Sequence, residues 1–328
     1  MTFTALALQN LLSPMVLFFV LGTALSLARS DLSIPGSIAK LLSLYLMMSI
    51  GFRGGTEVAH HGPSATLGAA MAAGLVLSFG IPFIAYGLLR LVSRLSPVDA
   101  ASVAAHYGSI SAVTLVAVMG VLRELGMPFE GFMIAVAAVM ETPAILSALL
   151  LARRAGGSRA AAPRGFGGEL AREILLNGAV VMLLGSFAIG AATGERGHAL
   201  LKPFLVDQFP GFLCLFLLDM GLVAGRGLRD GGRALSAPVI GFAVLMPLVG
   251  AGAAAALSPL VGLSPGGTAV LLTLAASASY IAVPAAMRLA LPEANAAIPL
   301  TLSLGVTFPF NLLLGIPLYI AVAERLAG

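Results

Sequence analysis

Ala105-His106-Tyr107-Gly108-Ser109-Ile110-Ser111-Ala112 is a poor piece of helix, yet it lies inside an apolar segment, 100–122, long enough to cross a bilayer. A second stretch of the same character, Ala275-Ala276-Ser277-Ala278-Ser279-Tyr280-Ile281-Ala282-Val283-Pro284, lies inside the apolar segment 267–291. Small and hydroxyl residues, with a glycine within one stretch and a proline closing the other, let the backbone unwind. Where a half-helix restarts after such a break, its free N–H groups carry partial positive charge. Two breaks facing each other would bring these donors and the hydroxyls of Ser109, Ser111, Ser277 and Ser279 onto one small anion, with no arginine needed in the membrane. Small residues also serve close helix packing in lipid, and for either stretch alone that plainer role competes with binding.

The chain around these stretches is made for lipid. Of its 328 residues 59% are hydrophobic and only 10% are charged, and the mean hydropathy is +1.02. So few charges cannot cover a large apolar core with a polar surface, whereas roughly 20 apolar residues span a bilayer as one helix. Ten such segments are legible, at roughly 11–28, 34–52, 65–89, 100–122, 131–152, 173–194, 209–225, 235–257, 267–291 and 296–323. The expected fold is an all-α integral membrane protein of ten transmembrane helices. The first segment has no Lys or Arg before Arg29, so it reads as a permanent span and not as a cleavable signal. With the 153–172 linker in the cytoplasm, thirteen of the 18 Lys and Arg fall on the linker side, and only Arg53, Arg123, Arg196, Lys202 and Arg325 fall opposite. That satisfies the positive-inside rule and puts both termini outside. The net charge of +4 needs no nucleic acid to explain it, because no basic stripe interleaved with aromatics is present. Cys214 is the single cysteine, which excludes an intrachain disulfide and a thiolate metal cluster.

The linker, rich in Arg, Ala and Gly, separates residues 1–152 from 173–328, five segments each. The halves resemble one another. Leu21-Gly22-Thr23 returns as Leu184-Gly185-Ser186, Ser49-Ile50-Gly51-Phe52 as Asp219-Met220-Gly221-Leu222, Pro82 as Pro247, Ser109 as Ser279 and Pro143 as Pro309, all in order and at offsets between 163 and 170 residues. Because five is odd, the second half enters the membrane upside down. Inverted repeats mark transporters, with the substrate near the midplane where the halves face each other. The expected architecture is therefore two inverted five-helix repeats, with crossed broken helices in the fourth and ninth spans.

Ionisable residues within spans need compensation, since a carboxylate at the bilayer centre costs about 2.5–3.5 kcal/mol on insertion scales. Glu141 and Thr142 precede Pro143, and Thr307 and Asn311 flank the corresponding Pro309. Carboxylate, hydroxyl and amide oxygens beside disrupted helices suit a sodium ion, and these four residues are candidate ligands, joined by Thr114 after the first break. Asp219 lies away from both breaks and reads as a structural or gate residue, as does His106, which precedes the first break. His60 and His61 read as a loop outside the membrane. No zinc or iron spacing, phosphate loop or nucleophile–base pattern is present, so neither an enzyme nor a bound cofactor is expected.

Three strings carry a resemblance: Ala104 to Thr114, Val139-Met140-Glu141-Thr142-Pro143-Ala144-Ile145, and Phe212 to Gly221. Together they resemble the sodium-dependent bicarbonate transporter family, from about Pro14 to Phe310, with a fold similar to that of bile-acid-type sodium symporters. The resemblance implies a sodium/bicarbonate symporter, commonly a homotrimer, in the bacterial inner membrane. It implies a gate domain from spans 1, 2, 6 and 7 and a core domain from spans 3–5 and 8–10. Bicarbonate would sit against Gly108, Ser109, Ile110 and Ser111, with Thr268 or Ser279 nearby. Photosynthetic relatives carry a longer central linker and a cytoplasmic face that binds a PII-type regulator, and the short linker here departs from them. Readings that compete with bicarbonate import are a sodium symporter for a small organic carboxylate, a cation/proton antiporter, and a membrane sensor that moves nothing.

Overall fold

The computed structural model describes residues 12–61, 64–154, 178–231, 236–280 and 293–327, together with Val283, Met287 and Leu291. All regular structure among them is helical. In chain order the helices are α1 (Pro14–Leu27), α2 (Gly36–His61), α3 (Ala65–Val92), α4 (Pro97–Gly108), α5 (Ala112–Glu124), α6 (Met133–Val139), α7 (Glu141–Arg154), α8 (Gly178–Leu205), α9 (Phe209–Gly231), α10 (Ala237–Leu257) and α11 (Pro265–Ala275). A composite run, α12, follows: Ala297–Leu302, a π-helical turn Ser303–Thr307, Phe308–Phe310, a second π turn Asn311–Gly315, and Ile316–Ala327. Among the described residues, five stretches are long and apolar enough to cross a bilayer: Ala65–Val92, Pro97–Glu124, Phe209–Arg226, Ala237–Leu260 and Ala297–Leu326. The most apolar window of Pro97–Glu124 is 94% buried, against 39% to 56% in the other four. The stretch holding the first break thus runs through the middle of the protein, while the others also turn apolar surface outward, as helices facing lipid do.

Two helix pairs form one side of the molecule, α1 along α9 and α2 along α8. Both are closed by glycines. A Cβ on Gly22 would run into the Leu218 carbonyl, and one on Gly221 into the Phe19 carbonyl, so backbone meets backbone reciprocally where α1 crosses α9. Gly55 against the Phe187 carbonyl and Gly190 against the Phe52 carbonyl do the same where α2 crosses α8. In lipid such contacts supply the van der Waals packing that a hydrophobic driving force would supply in water. Gly22→Val is therefore expected to destabilise the protein by about 1–3 kcal/mol, seen as a lower melting temperature in detergent, whereas Gly36→Ala, with nothing within 4 Å of its Cβ, leaves the melting temperature unchanged.

One boundary differs from the sequence reading. Helix α2 runs on to His61 and so takes in His60 and His61, which had read as a loop. The Gly54-Gly55 step keeps the helix against its neighbours, and at 26 residues, about 39 Å, it outruns a hydrocarbon layer of about 30 Å. In α8 the helix is interrupted at Gly194 (φ 53°, ψ −140°), where the sixth span was expected to end, and a second helical segment follows across the kink to Leu205; the positive φ suits glycine. The linker from residue 155, and the start of the sixth span up to residue 177, lie outside the described residues.

Candidate functional site

Helix α4 starts on a Ser-Pro step: Ser96 caps it, accepting from the Asp99 N–H at 3.0 Å, and Pro97 occupies the first turn, where no N–H is missed. It stops at Gly108, and Ser109 (φ −96°, ψ 156°) and Ser111 (φ −99°, ψ 111°) are extended. Helix α5 then restarts with Ser111 as its cap, its hydroxyl accepting from the Thr114 N–H at 3.2 Å. A Cβ on Gly108 would collide with the Pro82 ring and lie 2.9 Å from the Ala144 Cβ, so the end of α4 fits flush between α3 and α7. At 12 and 13 residues, α4 and α5 measure about 18 and 20 Å, so each one alone reaches only partway through a bilayer.

Helix α11 repeats the pattern. Ser264 caps it, Pro265 opens it, and it ends at Ala275, beyond which residues 276–280 are not helical. Gly250 of α10 lies against the Ala275 carbonyl, where a side chain would not fit. The two irregular segments touch directly. The Ser111 N–H donates to Ser277 Oγ at 2.9 Å, Ser277 Oγ donates to the Leu274 carbonyl at 2.8 Å, and the Ser279 N–H donates to the His106 carbonyl at 2.7 Å.

The composite helix α12 braces this crossing. Thr307 Oγ1 donates to the Ala243 carbonyl at 2.7 Å and so accepts from the Tyr107 hydroxyl, also at 2.7 Å. Asn311 donates through Nδ2 to the Ala276 carbonyl at 2.8 Å and accepts at Oδ1 from the Tyr319 hydroxyl at 2.8 Å. Thr307 closes one π turn and Asn311 opens the other, the kind of local widening that lets a helix present polar groups sideways.

The structure thus brings His106, Gly108, Ser109, Ile110, Ser111, Ser277, Ser279, Thr307 and Asn311 to one region and keeps others apart. Thr268 lies in the first turn of α11, about 10 Å along the axis from the end that meets the crossing. Asp219 is buried beside the α1–α9 contact. Glu141 and Thr142 begin α7 right after a turn at Met140, so the break precedes Pro143 and the proline sits harmlessly in a first turn. The side chains of Glu141 and Thr142, and the restart expected after residue 280 apart from Val283, Met287 and Leu291, lie outside the described residues.

The polar groups here are not all satisfied. Among the described residues, four buried side-chain atoms have no hydrogen-bond partner, Ser26 Oγ, His106 Nε2, Thr114 Oγ1 and Ser303 Oγ, while the buried Tyr280 hydroxyl meets the Ser111 side chain. His106 and Thr114 lie within a turn of the first irregular segment, whereas Ser303 opens the first π turn of α12. Each such orphan costs about 1–3 kcal/mol. Ser102 and His106 form a buried polar pair at i and i+4 on α4, between its two apolar faces, and the buried Ser109 follows just past the helix end. The His106 ring donates from Nδ1 to the Ser102 carbonyl at 2.7 Å, which leaves Nε2 as a bare acceptor in the neutral ring. Electrostatically, the positive N-terminus of α5 meets the negative C-termini of α4 and α11 here, an arrangement able to hold an anion and a cation side by side.

Sequence reasoning missed Tyr280 and Ser303, and it missed Asp99, Glu130, Ser264 and Asn295 at the outer ends of the broken stretches. A signal for the last group was present: Leu95-Ser96-Pro97 and Leu263-Ser264-Pro265 are identical helix-start triplets 168 residues apart.

No curated protein matches the chain. The model of the Na+-dependent bicarbonate transporter superfamily matches residues 14–324, nearly the whole chain and both irregular segments. With a match of that extent, this chain belongs to the Na+-dependent bicarbonate transporter superfamily.

Proposed function

We propose that the protein is a sodium/bicarbonate symporter working by alternating access, built of ten spans in two inverted repeats, 1–152 and 173–328, joined by a cytoplasmic linker, with both termini outside a bacterial inner membrane. The observation that carries the reading is the pair of unpartnered buried polar atoms, His106 Nε2 and Thr114 Oγ1, on either side of the point where α4 ends and α5 begins. Bicarbonate would lie over the first turn of α5, against Gly108, Ser109, Ile110 and Ser111, with Ser277 and Ser279 across from it. Its hydroxyl would be the donor that His106 Nε2 lacks. Sodium would lie toward the carbonyl ends of α4 and α11, where Thr114 Oγ1 is unengaged, with Glu141 and Thr142 as further candidates. Thr307 and Asn311, already engaged in bracing hydrogen bonds, would shape that site more than ligate in it.

Paired contacts support the inverted repeat. Ser78 Oγ of α3 donates to the Met140 carbonyl at 2.5 Å, and Thr307 Oγ1 donates to the Ala243 carbonyl of α10, linking the third span to the irregular point of the fifth in each half. The α1–α9 and α2–α8 pairs exchange places under the same inversion and would form the gate, while α3–α7 and α10–α12 would form the core. The test of cargo is competition. Labelled bicarbonate uptake into proteoliposomes should be inhibited at least about tenfold more strongly by unlabelled bicarbonate than by acetate or pyruvate, since neither carboxylate has a hydroxyl to offer His106 as bicarbonate does. Equal inhibition would make the protein a symporter for small carboxylates, and anion binding with no flux would make it a sensor.

A further inference from the structure

Each broken stretch begins, at the membrane surface, on a carboxylate contact that reaches across to the other half of the chain. On one side Glu130, in the loop between α5 and α6, accepts from the Ser264 N–H at Oε1 (2.7 Å) and from the Ser264 hydroxyl at Oε2 (3.1 Å). Ser264 is the residue that caps α11, accepting from the Gly267 N–H at 3.1 Å. Gly266 and Gly267 make room for this: a Cβ on the first would strike the Pro128 carbonyl, and one on the second the Glu130 carboxylate. On the other side Asp99, in the first turn of α4, accepts at Oδ1 from the Asn295 N–H (2.8 Å) in the segment before α12, while Ser96 Oγ donates to Oδ2 (2.6 Å). The two contacts are images of one another. Glu130 and Asn295 are 165 residues apart, as are Asp99 and Ser264, so in both the N-terminus of one broken stretch is tied to the segment that follows the other.

We propose that Glu130 and Asp99 are positioning residues that clasp the two broken stretches together at both membrane faces, so that they travel as one rigid block and keep the midplane site assembled throughout the transport cycle. The proposal rests on the symport reading above. A single crossing, joined at its centre by only a few hydrogen bonds, could scissor about that point. Two clasps, one at each end, remove that freedom. The carboxylates also neutralise the positive N-termini of α4 and α11, whereas the first turn of α5 is capped by a hydroxyl. Anions are then drawn to the midplane and not held at the rim.

The test asks whether the clasp ever opens. In a Cys214→Ala background, Glu130→Cys/Ser264→Cys is reconstituted and joined by a short bifunctional thiosulfonate. Before cross-linking, the KM for sodium-driven bicarbonate uptake should be raised about fivefold, as expected for loss of a charge-assisted contact. After cross-linking it should return to the parent value with the maximal rate intact. Glu130→Gln, which keeps a hydrogen-bonding terminus of the same shape, should stay near the parent KM, and Glu130→Ala should not. A cross-linked protein that binds sodium and bicarbonate but no longer transports would overturn the proposal, because the ends would then have to part in the cycle. So would Glu130→Ala with a parent KM. Failure of the symport reading is distinguishable, since it would appear as absence of bicarbonate uptake in the parent itself, before any cross-link is made.

Discussion

Replacing external sodium by potassium is expected to reduce labelled bicarbonate uptake into proteoliposomes to the level of empty vesicles. Moving one anion into an inside-negative compartment costs about 2.3 kcal/mol for every 100 mV, a factor of about 50 in accumulation. A sodium ion carried in the same step cancels that charge and adds its own gradient. The site has the polarity this requires, because the N-terminus of α5 favours an anion at the same crossing where the C-termini of α4 and α11 favour a cation. Two opposite charges held so close in a protein interior strengthen each other's binding, and linkage makes the effect mutual. The apparent affinity for bicarbonate should therefore rise with sodium concentration by a factor of about 5–150, the range of ordinary coupling energies. Uptake with sodium and potassium at equal rates would end the symport reading, and a sodium-driven pH change inside vesicles with no anion added would point to antiport.

Much of this arrangement can be read from residue types, and the reasons differ from one element to another. That helix gives way at residues 109–111 and again at 276–280 was legible because Gly108, Ser109, Ser111, Ser277 and Ser279 are poor choices for the middle of an apolar helix. The reach of α2 to His61 was not legible. Charge and histidine at residues 53–61 look like the end of a span, and it takes the structure, with Gly55 packed against the Phe187 carbonyl of α8, to show that the helix carries on. The hydrogen-bond partners of Thr307 and Asn311 were not legible, for another reason. Both residue types can ligate sodium or brace a backbone, and it takes the partners Ala243, Tyr107, Ala276 and Tyr319 to show that their polar groups are engaged. The clasps could have been anticipated in part, from the two Leu-Ser-Pro triplets, but that Glu130 and Asn295 face them is a property of the fold.

Filling the space beside the first break should stop transport while sparing the protein. Ser109 is 1% exposed and caps the end of α4, its N–H bonded to the Ala105 carbonyl at 3.3 Å, two residues before the Ser111 cap of α5 where the anion is proposed to bind. Ser109→Leu puts a branched apolar group there and removes a hydroxyl, and uptake should fall more than about 100-fold, since the anion loses both room and a hydrogen bond. Overpacking a buried position costs about 1–3 kcal/mol, enough to lower the melting temperature but not to unfold a chain this size. Ser109→Ala separates the two effects: losing the hydroxyl alone should raise the KM by about fivefold and leave the maximal rate in place. Gly108→Ala provides the contrast. Its Cβ has nowhere to go, with the Pro82 ring and the Ala144 Cβ already in contact range, so it should lower stability and transport together. If the Ser109→Leu variant transports at the parent rate, the anion does not pass Ser109, and the site must be sought elsewhere along the α4–α5 axis.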